Sequence, residues 1–176
     1  MRRSIAGLAV AVASVAHAAA PALPAMVAEA MPGLEAVGSH HFRYLLFHVY
    51  DATLWAPQGR WSAAGPVALD IRYALDIRGR DLSKRSIEEM RKQGYDDPAK
   101  LARWAGEMDR VFPDIKPGDR LVGVHVPGRE ARFYRARGLL GTVPDGAFAR
   151  AVFDIWLAER TSEPAMRRAL LGSGSG

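Results

Sequence analysis

The chain of 176 residues contains no cysteine, so disulfides, thiolate nucleophiles and cysteine-ligated metals are excluded from its chemistry. An excess of one charge is also lacking: 24 Lys and Arg stand against 19 Asp and Glu, a formal +5. Without Arg2 and Arg3, 22 basic residues face 19 acidic ones, and the net falls to +3. Basic and acidic residues interleave, as in DLSKRSIEEMRKQ, which is the pattern of a solvated helix face and not of a nucleic-acid groove. The apolar run at residues 5–15 stops well short of the roughly 20 residues that cross a bilayer. No repeat at a period of roughly 20 to 50 residues is present, so a solenoid is not supported. An HExxH helix, a calcium-loop spacing, a GxSxG elbow and a glycine loop opening a helix are all missing. Beyond residue 18 the histidines are His40, His41, His48 and His125. On a straight strand His40 and His41 face opposite ways, and His40 and His48 stand about 27 Å apart. No metal is therefore expected, and no haem or other cofactor motif appears.

What is present suits one globular domain: 49% of the residues are hydrophobic and 24% are charged, enough for a sizeable core. Arg2 and Arg3, the apolar residues 5–15 and Ala16-His17-Ala18 read as a secretory signal over residues 1–18. That reading places the mature chain in the periplasm or outside the cell, with no transmembrane anchor left in it. Residues 19–33, rich in Ala and Pro, are expected to be a loose leader. The domain is set at residues 34–172. Residues 173–176 have linker composition and form a flexible tail.

Within the domain, HFRYLLFHVYDATLW at residues 41–55 predicts a bent strand, or two strands meeting at a bulge. Val67, Leu69, Ile71, Tyr73 and Leu75 alternate with Ala68, Asp70, Arg72 and Ala74, a strand with one face to the core and one partly wet. Asp81 or Ser83 caps a helix that runs to Gln93 and ends at Gly94. Asp97-Pro98 opens a second helix whose Leu101, Trp104, Ala105, Met108 and Phe112 share a face. Trp55, Trp61, Trp104 and Trp156 are read as core or pocket walls.

From residue 116 to 172 the order is strand, strand, short strand, helix, helix. Residues 120–126 turn at Pro127-Gly128 into 131–135, Gly138 opens LLGTV, and Pro144-Asp145-Gly146 breaks into an amphipathic helix. Strands, two helices, more strands and then helices give an α+β domain, an open-faced antiparallel sheet packed on one face by helices. The run DGAFARAVFDIWL…SEPAMRRALLG resembles the paired C-terminal helices of the chalcone isomerase family, in its bacterial, isomerase-like branch.

The resemblance implies a site at which ring closure would need a cation for a phenolate and hydrogen-bond donors for an enolate. In the plant enzymes these are an arginine before a strand ending in VY, a threonine within it, a tyrosine and an asparagine near the next helix, and a Ser/Thr-Met step. Matching LLFHVY puts Leu45 at the threonine and Phe42 at the arginine, with Arg43 beside it and able to serve only through a bulge. DLSKRSIEEM places Leu82 at the tyrosine and Glu89 at the asparagine, with Arg85 and Ser86 on pocket-lining turns. AVFDIWL places Ile155 and Trp156 at the Ser/Thr-Met step. With so many donors replaced, the resemblance implies a non-catalytic protein holding a small apolar ligand or carboxylate, such as a fatty acid, between sheet and helices. Leu45, Phe47, Ile77, Leu82, Ile155 and Trp156 would form its wall, and Arg43 or Arg85, helped by Tyr44 or Tyr73, would meet the polar head. Two alternatives stand: an intramolecular lyase in which buried Glu89, its pKa raised, acts as acid or base, and a structural domain whose cleft its own side chains fill.

Overall fold

The computed structural model describes residues 22–172. The expected signal at 1–18, the first part of the leader and the tail at 173–176 lie outside the described residues. Six strands form one antiparallel sheet in sequence order: β1 (Leu34–Tyr44), β2 (Phe47–Pro57), β3 (Val67–Tyr73), β4 (Arg120–Val126), β5 (Glu130–Arg135) and β6 (Gly138–Val143). Each strand pairs with the next, so connections are local except between β3 and β4, where α2 (Gly79–Lys92) and α3 (Pro98–Val111) are inserted. Helices α4 (Gly146–Leu157) and α5 (Pro164–Leu170) follow the sheet. The α+β class and open antiparallel sheet expected from the sequence are what the chain adopts.

Period-two alternation sets the principal core. Leu54, Leu69, Ile71 and Phe133 project from one face of the sheet onto Met90, Trp104, Met108, Phe148 and Val152 of the helices, where each large apolar side chain contributes about 1.5–3 kcal/mol. The N-cap of α3 follows the sequence reading, and α4 is capped by the aspartate of the Pro144-Asp145-Gly146 break. Asp97 Oδ1 accepts from the amides of Ala99 and Lys100 at 3.0 Å, and Asp145 Oδ1 accepts from those of Ala147 and Phe148. Gly94 ends α2 region with φ +95°, the left-handed conformation that glycine adopts at low cost.

Four expectations are corrected. First, residues 19–33 are not wholly a loose leader, because Ala25–Ala30 form a short helix, α1, whose Val27 is fully buried. It packs with Trp55, Ala68, Val122, Val124 and Tyr134 on the sheet face opposite the other helices. Second, the outward face of β3 is wet only at its end: Arg72 is exposed, but Ala68 and Asp70 are buried, and Asp70 is forked by the Arg120 guanidinium, whose Nε lies at 2.7 Å.

Third, α2 starts at Gly79, ahead of the expected Asp81 or Ser83 cap. The first amide, of Gly79, is instead satisfied from outside the helix by Asp114 Oδ1 at 2.9 Å, while Asp81 pairs with Arg78 and the Ser83 hydroxyl donates to the Gly79 carbonyl. Fourth, residues 41–55 are neither one bent strand nor two meeting at a bulge. They reverse at Leu45-Leu46 into a hairpin, with Leu45 at φ +53°.

Candidate functional site

A cavity of about 600 Å³ lies between the sheet and helices α2 and α4, within the size range of small-molecule sites. Its floor is built by alternate residues of the strands, namely Phe42 and Tyr44 of β1, Leu69, Ile71 and Tyr73 of β3, and Leu121 and Gly123 of β4. Helix α2 contributes Leu82, Arg85, Ser86 and Glu89, whose i, i+3, i+4, i+7 spacing makes one stripe. Helix α4 contributes Val152, Phe153, Ile155 and Trp156, and Ser162, Glu163 and Met166 close the far end.

Nine of the twelve residues singled out in the sequence are thereby brought together: Tyr44, Tyr73, Ile77, Leu82, Arg85, Ser86, Glu89, Ile155 and Trp156. Arg43, Leu45 and Phe47 are not among them, and the reversal at Leu45-Leu46 is the reason. Leu45 and Phe47 stand exposed at the turn, and Arg43 turns outward, donating from Nη2 to the Leu46 carbonyl at 3.2 Å. A register shift does occur between Phe42 and Arg43, with Phe42 opposite Tyr50 and Arg43 opposite His48. It does not re-aim Arg43. Its effect is on β2, where Val49 and the next residue, Tyr50, both line the cavity, as a bulge permits.

Tyr50, the last residue of LLFHVY and outside the residues singled out in the sequence, is central to the cavity. Its hydroxyl accepts from Trp156 Nε1 at 3.2 Å and donates to Met166 Sδ at 3.5 Å, and its ring stacks on Phe42 at 4.9 Å. Burial pushes its phenol up to about 12, against a smaller downward pull from the Trp156 indole. Burial likewise pushes the Tyr73 phenol up, reinforced by neighbouring Tyr50. Both are neutral hydrogen-bonding groups at physiological pH.

Glu89 closes the polar end. Burial alone would raise its pKa, but Ser162 and Lys92 bond to the carboxylate and Arg85 adds its charge, so the group ends below the usual range. Arg85 Nη2 lies at 2.6 Å, Lys92 Nζ at 2.9 Å and Ser162 Oγ at 2.6 Å. The expectation that a buried Glu89 has a raised pKa is corrected: it is buried, but its partners keep it ionised. The cavity is therefore a largely apolar chamber whose lining also carries the phenols of Tyr44, Tyr50 and Tyr73 and the carboxylates of Asp81, Glu89 and Glu163, and Glu89, held ionised by its partners, is not a proton donor near neutrality.

A second group of chemically capable residues was missed in the sequence because strand pairing creates it. On the outer face of the hairpin, His41 Nδ1 is 2.6 Å and His48 Nε2 is 3.3 Å from Asp51 Oδ1. A metal ion lies near the plane of each imidazole that binds it, yet these rings stack at 3.8 Å and 17°, so no single point serves both. The trio is a carboxylate oxygen set against the edges of two stacked imidazoles.

Three comparisons bear on the chain. A family model described as chalcone isomerase-like matches residues 34–172. An uncharacterised protein of Haemophilus influenzae is 28% identical over 137 residues, which is 77% of this chain and 67% of that protein. Among solved structures, a fatty-acid binding protein of Arabidopsis thaliana superposes with a TM-score of 0.61 at 12% identity, covering 81% of this chain and 89% of that one. At that identity the likeness establishes the fold alone.

Proposed function

The chain belongs to the chalcone isomerase-like family, and from that premise we propose that it is an exported, non-catalytic protein that binds a small apolar ligand such as a fatty acid between sheet and helices. The observation that carries the reading is the apolar cavity of about 600 Å³, whose helix wall holds Ile155 and Trp156, the pair that the resemblance aligns with the Ser/Thr-Met step of the plant enzymes. A filled cleft, as in a structural domain, does not agree with that volume. Each buried methylene contributes about 0.8 kcal/mol, so the roughly fourteen of a palmitoyl chain supply about 11 kcal/mol, and an association cost of about 4 kcal/mol leaves about 7, in keeping with micromolar affinity.

The head of the ligand meets Tyr50, Tyr73 and Arg85. Arg85 is already paired with Glu89, so the cavity grips the chain more strongly than a carboxylate head. The fatty-acid binding protein that shares the fold supports the choice of an acyl chain, and the residues 1–18 support export. Periplasm-purified protein should carry a lipid in native mass spectra, and its melting temperature should rise with added palmitate. Protein that carries no lipid and accepts none under either measurement overturns the reading. Turnover of a chalcone, followed as loss of enone absorbance and abolished in Glu89→Gln, would favour a rebuilt lyase instead.

A further inference from the structure

The turn joining β1 to β2 presents four consecutive large apolar side chains to solvent: Tyr44 is 64% exposed, Leu45 79%, Leu46 85% and Phe47 66%. A hairpin tip normally carries Gly, Asn or Asp, and a run of exposed apolar residues marks an interaction site. This one borders the cavity, since Tyr44 lines it and so does Leu75, which is itself 37% exposed. The hydrogen bond from the Ala74 amide to the Val49 carbonyl at 2.9 Å holds the Leu75 segment beside the hairpin.

We propose that residues 44–47 are a lipid-docking tip that seats the cavity mouth on an anionic membrane surface, and that ligand enters and leaves there. The inference rests on the reading of the cavity as an acyl-chain site. Charge supports a lipid surface as the occupant. Exposed Arg43, at the base of the tip, uses one N–H on the Leu46 carbonyl, and a guanidinium has five donors, so the others are available to phosphate. Without Arg2 and Arg3 the chain keeps a small basic excess, at formal +3. Aliphatic and aromatic residues above a single exposed arginine match the depth profile of an interfacial anchor. A second copy of the chain fits less well, because four residues cover far less than the roughly 1,600 Å² of a standard protein interface.

The absence of cysteine makes the test direct. Leu46→Cys carrying a solvent-sensitive maleimide dye labels the tip alone, and its emission should shift to the blue on vesicles of equimolar phosphatidylethanolamine and phosphatidylglycerol. The shift should be weaker on phosphatidylcholine. Unchanged emission on the anionic vesicles overturns the proposal. In unlabelled periplasm-purified protein, Leu45→Asp/Leu46→Asp should slow transfer of anthroyloxy-palmitate from those vesicles by about tenfold or more. Its equilibrium affinity for the same probe in vesicle-free buffer should not change, since neither residue lines the cavity. Asp also tolerates the left-handed backbone of residue 45 better than Leu. A transfer rate equal to wild type overturns the proposal, as does a tip-dependent dimer in chromatography without vesicle binding. If wild type binds no probe in buffer, the acyl-chain reading fails, while the dye shift still decides whether the tip enters lipid.

Discussion

Replacing Glu89 with Gln should retune which head group the cavity accepts. In the native chain the carboxylate is 2.6 Å from Arg85 Nη2, so a ligand carboxylate entering the cavity would share a cation that is already neutralised and meet a second negative charge. Gln keeps the shape, removes the charge and frees Arg85. Two unit charges about 4 Å apart interact by about 4 kcal/mol at an effective dielectric of 20 and about 1 kcal/mol in water. Arg85 is 62% exposed, which puts the gain near the lower end, at about 1–2 kcal/mol, or about five- to thirty-fold in affinity. Titration calorimetry with palmitate and with hexadecanol separates head from chain: the acid should tighten by that factor in Glu89→Gln while the alcohol changes little. An acid-to-alcohol ratio that stays at the wild-type value refutes the argument that Glu89 masks Arg85. Replacing the charge-assisted Lys92 and Ser162 bonds with neutral amide ones should also lower stability by about 1 kcal/mol, visible as a lower melting temperature.

Gly38 of β1 lies against the end of α5, where a Cβ would collide with the Ala169 carbonyl oxygen and come within 2.9 Å of that of Leu170. Gly38→Ala should therefore cost about 1–3 kcal/mol by urea unfolding. Asp145 caps α4 and also accepts from Trp104 Nε1 at 3.0 Å. Asp145→Ala should cost about 2–4 kcal/mol through the lost cap and an orphaned buried indole N–H. Burial would raise the Asp145 pKa, but the Trp104, Phe148, Arg103 and Ala147 donors prevail and lower it. With Asp145 and Glu89 both titrating lower in the folded than in the unfolded chain, their stabilisation is complete above about pH 4–5 and is lost as pH falls through their lower folded values. Acid melts should show that loss, and Asp145→Asn should flatten it. Val152→Phe places a ring in the cavity, and should weaken palmitate binding about tenfold or more with little loss of melting temperature.

Much of the architecture was legible because burial imposes periodicity. The alternation of β3, the broad stripe of α3, the Asp cap of α3 and the break at Pro144-Asp145-Gly146 before α4 are each local patterns with a single structural solution. The α2 stripe Leu82, Arg85, Ser86 and Glu89, and the pair Ile155-Trp156, reach the cavity because helical spacing survives without knowledge of partners. The β1–β2 turn was not legible, since Leu45-Leu46 carries none of the usual turn residues and its apolar character mimics strand interior. That concealment moved Arg43, Leu45 and Phe47 out of the site. Tyr50 and the His41–His48–Asp51 trio depend on a register shift across the hairpin, which only pairing reveals. The sign of the Glu89 shift depended on Ser162, 73 residues away in sequence.

The short helix α1 alters where the folding unit begins. The family match starts at residue 34, and a chain cut there would seem whole, with every strand retained. It would nevertheless lose Val27 and its neighbours Leu23, Met26 and Met31 from the back of the sheet, baring Val122, Val124 and Trp55 as a flat apolar sheet surface. It would also remove the Ala22 carbonyl that accepts from Arg120 at 2.6 Å. Such a truncation leaves the ligand chamber intact on the other face and creates a new aggregation surface behind it. Among the described residues the packed unit thus reaches back at least to Ala22 and Leu23, a full helix ahead of the family match, so the back of the sheet depends on residues that the match leaves out.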